Sequence, residues 1–300
     1  MKFIFLITFL ISQLALATAP TDYKKIANAL ITHKLKSNLE FDWTDSLLTL
    51  AIVRSQDTLS IRKNLVRKVK DFYRKNEKAP LDITSPDLLA SVMGAIEFKR
   101  FDHQFKKTVQ AGYRFLISEP KNDLGALNHV GSRHRFASFL PLTSHFVDDS
   151  IWADSAVMYV MPAMMIGQMF SDKKLITFAR KQMSIFEKQL KAENGLYKHA
   201  YFLEDQSRYP VGDYYWLRGN GWILFSLIEL IEMEDDKEKV REYEKQFVEL
   251  YNKLILYQND NGLFNTILTK KDIYNYEDTA GNALVLYALL KAQRLEIIKT

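Results

Sequence analysis

The chain has 300 residues, 41 lysines and arginines against 36 acids, a formal net charge of +5 and no cysteine. Without cysteine there are no disulfides, no structural thiolate zinc, no cysteine nucleophile and no lipid-modified cysteine anchor, so stability must come from packing. The basic excess alternates with acids and forms no dense block, which suits anionic partners in general and gives no reason to expect nucleic acid.

Residues 1–19, "MKFIFLITFLISQLALATA", carry one lysine and then an apolar stretch ending in small residues. Ala15 with Ala17, or Ala17 with Ala19, has the A-x-A spacing that signal peptidase reads, so a secretory signal is expected, cut near residues 17–19. A cut after Ala17 is favoured because the later one would abut Pro20. An uncleaved anchor is the alternative, and the expected destination is the periplasm or beyond. Roughly 280 residues remain, read as one domain over 20–300: enough for a large core, with no Pro/Gly/Ser linker. No later apolar run is long and charge-free enough to cross a bilayer, so no stable membrane insertion is expected after cleavage.

From Lys24 onward apolar positions recur every three or four residues, as in "FKKTVQAGYRFLIS", "LITFARKQMSIFEKQL" and "VREYEKQFVELYNKLIL". That is the period of amphipathic helices. Strand-like alternation is scarce, and the fold class is all-α. An internal repeat punctuates the helices: "NDLGALNH" at 122–129, "AENGLYKH" at 192–199 and "NDNGLFNT" at 259–266. Each has a glycine where a helix would stop, then a loop, then a more apolar helix. Alternating outer and inner helices predict an (α/α)6-type barrel, a toroid of hairpins, in preference to a helical solenoid. The loops leading into the inner helices then gather at one mouth, where such scaffolds place their chemistry.

Trp152 and Asp154 in "IWADSAVMYVMPAMM" fall at the start of an inner helix, where the helix dipole favours a carboxylate. Asp154 is therefore either a favourable N-terminal acid beside a core-filling Trp152, or a working group. Pro162 is expected to kink or tighten that helix, and Asp148 and Asp149 to be capping or solvated acids on its approach. His129 and His199 end equivalent repeat segments, and two imidazoles at one mouth can bind an anion or hold a proton. A metal site from His129, His134 and an aspartate lacks helical i, i+4 spacing and a firm third ligand, so neither metal nor cofactor is expected. In "YYWLRGNGW", residues 214–222, Gly219 and Gly221 allow close backbone approach, and Arg218 offers a planar fork for a carboxylate or an internal acid. Trp216 and Trp222 either face a sugar or pack inside.

Taken together, "WADSAVMYVMP", "GLYKHAY", "WLRGNGW" and "EDTAGNALVLYAL" resemble the unsaturated uronyl hydrolases, glycoside hydrolase families 105 and 88, and most closely the unsaturated rhamnogalacturonyl hydrolases. The resemblance runs from about Phe41 to Leu295. It implies an (α/α)6 barrel that removes an unsaturated uronic acid from the non-reducing end of lyase-generated pectin or rhamnogalacturonan oligosaccharides. It also implies that Asp154 is the catalytic aspartate, and that His129, Trp152, His199, Trp216, Arg218 and Trp222 line the substrate pocket. Asp82, in "PLDITSPDLLA", corresponds to a second active-site aspartate, with Asp87 as its rival. The implied mechanism is hydration of a vinyl ether, with one Asp serving as acid and then base.

That role asks Asp154 to hold its proton more often than a free aspartate, whose pKa is about 3.9. Burial against Trp152 and Trp222 and a nearby Asp82 are expected to favour this, and Arg218 to oppose it unless it is occupied by another carboxylate. The shortness beyond the last motif leads to the expectation that the sixth hairpin is missing or incomplete. The loop 130–150 is expected to reshape the pocket. A non-catalytic sugar-binding protein, or a glycosidase acting on saturated sugars with two essential carboxyls, are the other readings of the same barrel.

Overall fold

The computed structural model describes residues 22–78, 81–102, 105–132, 149–270 and 274–299. The signal-like segment, His134 and most of the 130–150 loop, including Asp148, lie outside these residues. The described chain is mostly helical and divides into two compact units.

The first unit spans residues up to 83 together with 87–118. It holds α1 (Asp22–Lys34), α2 (Trp43–Ser55), α3 (Lys63–Asn76), α4 (Val92–Asp102) and α5 (Lys106–Ser118). Helix α2 starts where the Asp42 carboxylate accepts from the Asp45 N–H at 2.7 Å, satisfying one of the unpaired donors of the first turn. It is buried from Asp45 to Val53 without a break. Helix α3 instead buries only Leu65, Val69 and Tyr73, an i, i+4, i+8 stripe under a lysine and arginine face. Tyr73 is fully buried, and its hydroxyl meets Thr49 Oγ1 at 3.0 Å and donates to the Ser91 carbonyl at 2.9 Å. Burial pushes this phenol far above its ordinary value, so it stays a neutral donor. Beyond the end of α3, Glu77 caps another helix: it accepts from the N–H groups of Lys107 and Thr108 at 3.0 and 2.7 Å, at the start of α5.

The second unit comprises 84–86 and 119 onward. A π-helical turn at Ala156–Val160 leads into α6 (Met161–Phe170), followed by α7 (Lys173–Leu190), α8 (Leu217–Met233), α9 (Lys237–Leu254) and α10 (Thr279–Arg294). The two helix types foreseen from sequence are present. Outer α7 buries Leu175, Ala179, Met183, Phe186 and Leu190 on one stripe, whereas α8 is buried almost all round. Pro162 lies in the first turn of α6. Lacking an N–H and crowding the carbonyl four residues back, it marks the point where the wide turn gives way to regular helix.

The three repeat loops share one geometry. Gly125, Gly195 and Gly262 have φ of 76°, 87° and 82°, and each donates its N–H to the carbonyl three residues back, at 2.7, 2.9 and 2.8 Å. A side chain is strained there, which is why glycine recurs. The scarcity of strands needs one amendment: β1 (Ser150–Trp152), β2 (Ala200–Phe202) and β3 (Arg208–Tyr209) form a small antiparallel sheet. Trp152 pairs with Ala200, and Ala200 with Tyr209. Such short segments carry too few alternations to register as strands in a sequence.

Candidate active site

The repeat places the candidate residues at equivalent points. Ala153 N–H donates to the His199 carbonyl at 2.8 Å, and one unit later Leu217 N–H donates to the Thr266 carbonyl at 2.8 Å. Asp154 and Arg218, each one residue further on, therefore occupy the same position on successive inner helices, and Trp152 matches Trp216. These loops are fixed from below by asparagines that sequence reasoning missed. Asn220, fully buried in α8, accepts from Tyr197 N–H at 2.8 Å and donates to the Tyr197 carbonyl at 2.9 Å. Asn282 in α10 makes the same pair of bonds to Phe264, at 2.8 and 2.7 Å.

Around this frame the side chains form a continuous array. His199 Nε2 and Asp154 Oδ2 are 2.7 Å apart, with side chains 17% and 20% exposed. The His199 ring stands edge-on to Trp152, centroids 4.6 Å apart, and lies 4.4 Å from Trp216. His129 stacks on Trp152 at 5.0 Å, and its Nδ1 is 3.1 Å from the hydroxyl of Ser155, the residue after Asp154. The Trp152 indole N–H donates to Ser150 Oγ at 3.0 Å. On the other side, the Arg218 guanidinium carbon lies 4.7 Å from the Trp216 ring centre, and Arg218 Nε donates to Asp278 Oδ2 at 3.0 Å.

Asp278 is 1% exposed and caps α10, its other oxygen accepting from Ala280 and Gly281 N–H at 3.1 and 3.2 Å. One carboxylate thus ends a helix and holds the arginine by its Nε. The Nη end of the fork makes no other hydrogen bond to the described residues.

Of the residues singled out from sequence, the structure brings together Asp154, His129, His199, Trp152, Trp216 and Arg218. Trp222 is placed differently: at 1% exposure its ring is part of the α8 wall and presents no face to a ligand. Asp82 is an exposed residue of the first unit, before the single helical turn Pro86–Leu89. Asp149 is more than a solvated acid. Its carboxylate accepts from Asn128 Nδ2 at 2.6 Å, steadying the residue before His129. Glycines let α8 and α10 approach closely: a Cβ at Gly281 would come 2.6 Å from Leu217 Cγ, and one at Gly221 3.1 Å from Leu284 Cβ. Gly219 has room for a methyl, with Trp216, Ala153 and His199 at ordinary contact distances.

The expectation of a neutral Asp154 is corrected. Burial alone would raise its pKa, but the charge and hydrogen bond of His199, helped by the charge of His129, outweigh it and hold the carboxyl below the usual aspartate value. In the free protein Asp154 is a carboxylate accepting the His199 Nε2 proton. The sequence showed the acid and the histidine, but not that they touch.

The family model described as Glycosyl Hydrolase Family 88 matches residues 20–300. Among curated proteins, "Protein Atu3128" of Agrobacterium fabrum is 27% identical over 139 residues, 44% of this chain and 60% of that protein, so the match spans less than two thirds of the relative. The "Unsaturated 3S-rhamnoglycuronyl hydrolase" of Formosa agariphila is 30% identical over 76 residues, 25% of this chain and 20% of that one. Among solved structures, a possible member of the GH105 family from Salmonella enterica superposes with a TM-score of 0.78 at 16% identity, over 94% of this chain and 78% of that one. This likeness places the chain in the (α/α)6-type helical fold.

Proposed function

The chain belongs to glycosyl hydrolase family 88, and from that membership we propose that it removes a non-reducing-end unsaturated uronic acid from lyase-generated oligosaccharides, with rhamnogalacturonan or pectin fragments as the preferred class. The observation that carries this reading is the Asp154 and His199 pair at 2.7 Å, set between Trp152 and Trp216, with the Arg218 fork at the second indole.

In the proposed reaction the substrate carboxylate takes the Nη end of Arg218, a planar fork already turned by Asp278. Substrate binding displaces water and adds a negative charge beside Asp154. Both effects raise the carboxyl's proton affinity, so the proton between Nε2 and Oδ2 moves onto Asp154. Asp154 then protonates the double bond of the vinyl ether, leaving an oxocarbenium-like carbon. Ionised again, Asp154 takes a proton from the water that adds there, and the resulting hemiketal collapses with loss of the remaining sugar. One carboxyl serves twice, unlike direct displacement with two. Export to the periplasm or beyond, where polysaccharide lyases leave such fragments, belongs to the same proposal and rests on the segment 1–19.

The test is to follow the ultraviolet absorbance of an unsaturated uronyl disaccharide. The wild type should consume it, and Asp154→Asn should lower turnover by about 10²- to 10⁴-fold, the usual worth of a general acid. Undiminished turnover in the variant would refute the assignment. Binding without consumption by the wild type would make the protein a sugar-binding module.

A further inference from the structure

The opening of α8 carries a second message. Along "YYW", just before the helix begins at Leu217, exposure alternates: Tyr214 is 44% exposed, Tyr215 buried and Trp216 half-buried. In an extended segment alternate side chains share a face, and Trp216 has extended backbone dihedrals and pairs antiparallel with Ile267. Tyr214 therefore stands on the same face as Trp216, about 6.6 Å further along at two strand residues' rise. That is roughly one pyranose beyond the indole already placed at Asp154 and His199.

The segment is held from several sides. Lys198, its ammonium 4.1 Å from the Tyr215 ring centre, donates to the carbonyls of Gly212 and Tyr214. Thr269 Oγ1 donates to the Asp213 carbonyl at 2.5 Å, and Leu268 N–H to the Tyr215 carbonyl at 2.9 Å. The Tyr214 ring is thus an exposed aromatic on a fixed backbone, and the Lys270 ammonium lies 6.0 Å from its centre. A ring with a polar tip and a neighbouring cation fits an amphipathic, anionic ligand. The ring lies next to the residues proposed to bind the terminal sugar.

We infer that Tyr214 and Lys270 form a further binding position for an acidic sugar on the leaving-group side, so that the preferred substrate is longer than a disaccharide and carries a second uronate. This rests on the hydrolase reading above. With the terminal sugar at Asp154 and Trp216, the rest of the chain would run past Trp216 toward Tyr214.

The experiment compares kcat/KM for an unsaturated disaccharide and for a lyase-cut unsaturated tetrasaccharide with a second uronate, in the wild type, Tyr214→Ala, Tyr214→Phe and Lys270→Ala. The tetrasaccharide-to-disaccharide ratio should fall about tenfold in Tyr214→Ala, the order expected when a stacking contact is lost. It should be kept in Tyr214→Phe. In Lys270→Ala it should fall and lose its salt dependence. A ratio unmoved by Tyr214→Ala, with both substrates consumed, overturns the subsite alone. If the wild type consumes neither, and calorimetry on Asp154→Asn finds neither bound, the hydrolase reading falls and the subsite with it.

Discussion

The 2.7 Å contact between His199 and Asp154 sets both charge and chemistry at the candidate site. A carboxyl whose folded pKa lies below its unfolded value adds stability above the unfolded value and loses it as pH falls through the folded one. For Asp154 that loss lies below the ordinary aspartate range, so the pair stays intact through mildly acidic pH. In the proposed reaction the working form of the pair shares one proton. It disappears on the acid side only when the depressed carboxyl is protonated as well, so the acid limb of kcat/KM should lie below the usual aspartate value. His199→Gln removes the largest influence holding that pKa down and leaves burial to raise it. The variant's only proton donor is then Asp154 itself, so its profile should become a single limb falling with rising pH, displaced toward neutrality relative to the wild-type acid limb. Its activity at pH 7 should drop at least tenfold. Initial rates from pH 3 to 9 in both proteins measure this, and a variant with the wild-type acid limb would show that His199 does not govern the carboxyl.

At the scale of elements, the site depends on loops that have no helix of their own and are pinned by the helices that follow. Asn220 takes both backbone groups of Tyr197, two residues before His199, and Asn282 takes both of Phe264, two before Thr266. Asn220→Ala would leave a buried N–H and a buried carbonyl without partners, at a cost of about 2 to 3 kcal/mol. For a chain of this size that lowers Tm by roughly 3 to 5 °C. His199 should lose its fixed distance to Asp154, so kcat should fall more than KM rises. Melting curves with steady-state kinetics test both parts, and a destabilised variant with wild-type kcat would show that the loop keeps its place without the asparagine. The glycine at each helix stop was legible because a positive φ restricts residue choice locally. The asparagine was not, since its partner lies 23 residues away in one unit and 18 in the next. Likewise Arg218 was expected to meet a substrate carboxylate or an internal acid, yet Asp278, 60 residues on, reads in sequence as an ordinary helix cap. Trp222 shows the reverse error: tryptophans near an arginine look like a sugar platform, and only burial separates the one in the wall from the one at the mouth.

Over the whole molecule, the alternation of one-faced and fully buried helices was the most legible feature, because a period of 3.6 accumulates over many residues. It holds separately in each compact unit: α2 and α8 are buried almost throughout, while α3 and α9 bury a single stripe. With no cysteine in the chain, packing alone holds it together in any compartment. An oxidising compartment offers the chain no covalent staples, so Tm should be the same with and without reductant. Export itself is tested by expressing the full chain in a Gram-negative host and measuring the mass of the product in periplasm and medium. The A-x-A spacing at Ala15 and Ala17 predicts a mature chain beginning at Thr18, with activity in the soluble extracytoplasmic fraction. Full-length protein confined to the membrane pellet would mean that the segment is an uncleaved anchor. In that case the substrate would have to diffuse to a tethered enzyme, and only fragments small enough to reach the membrane surface would be consumed.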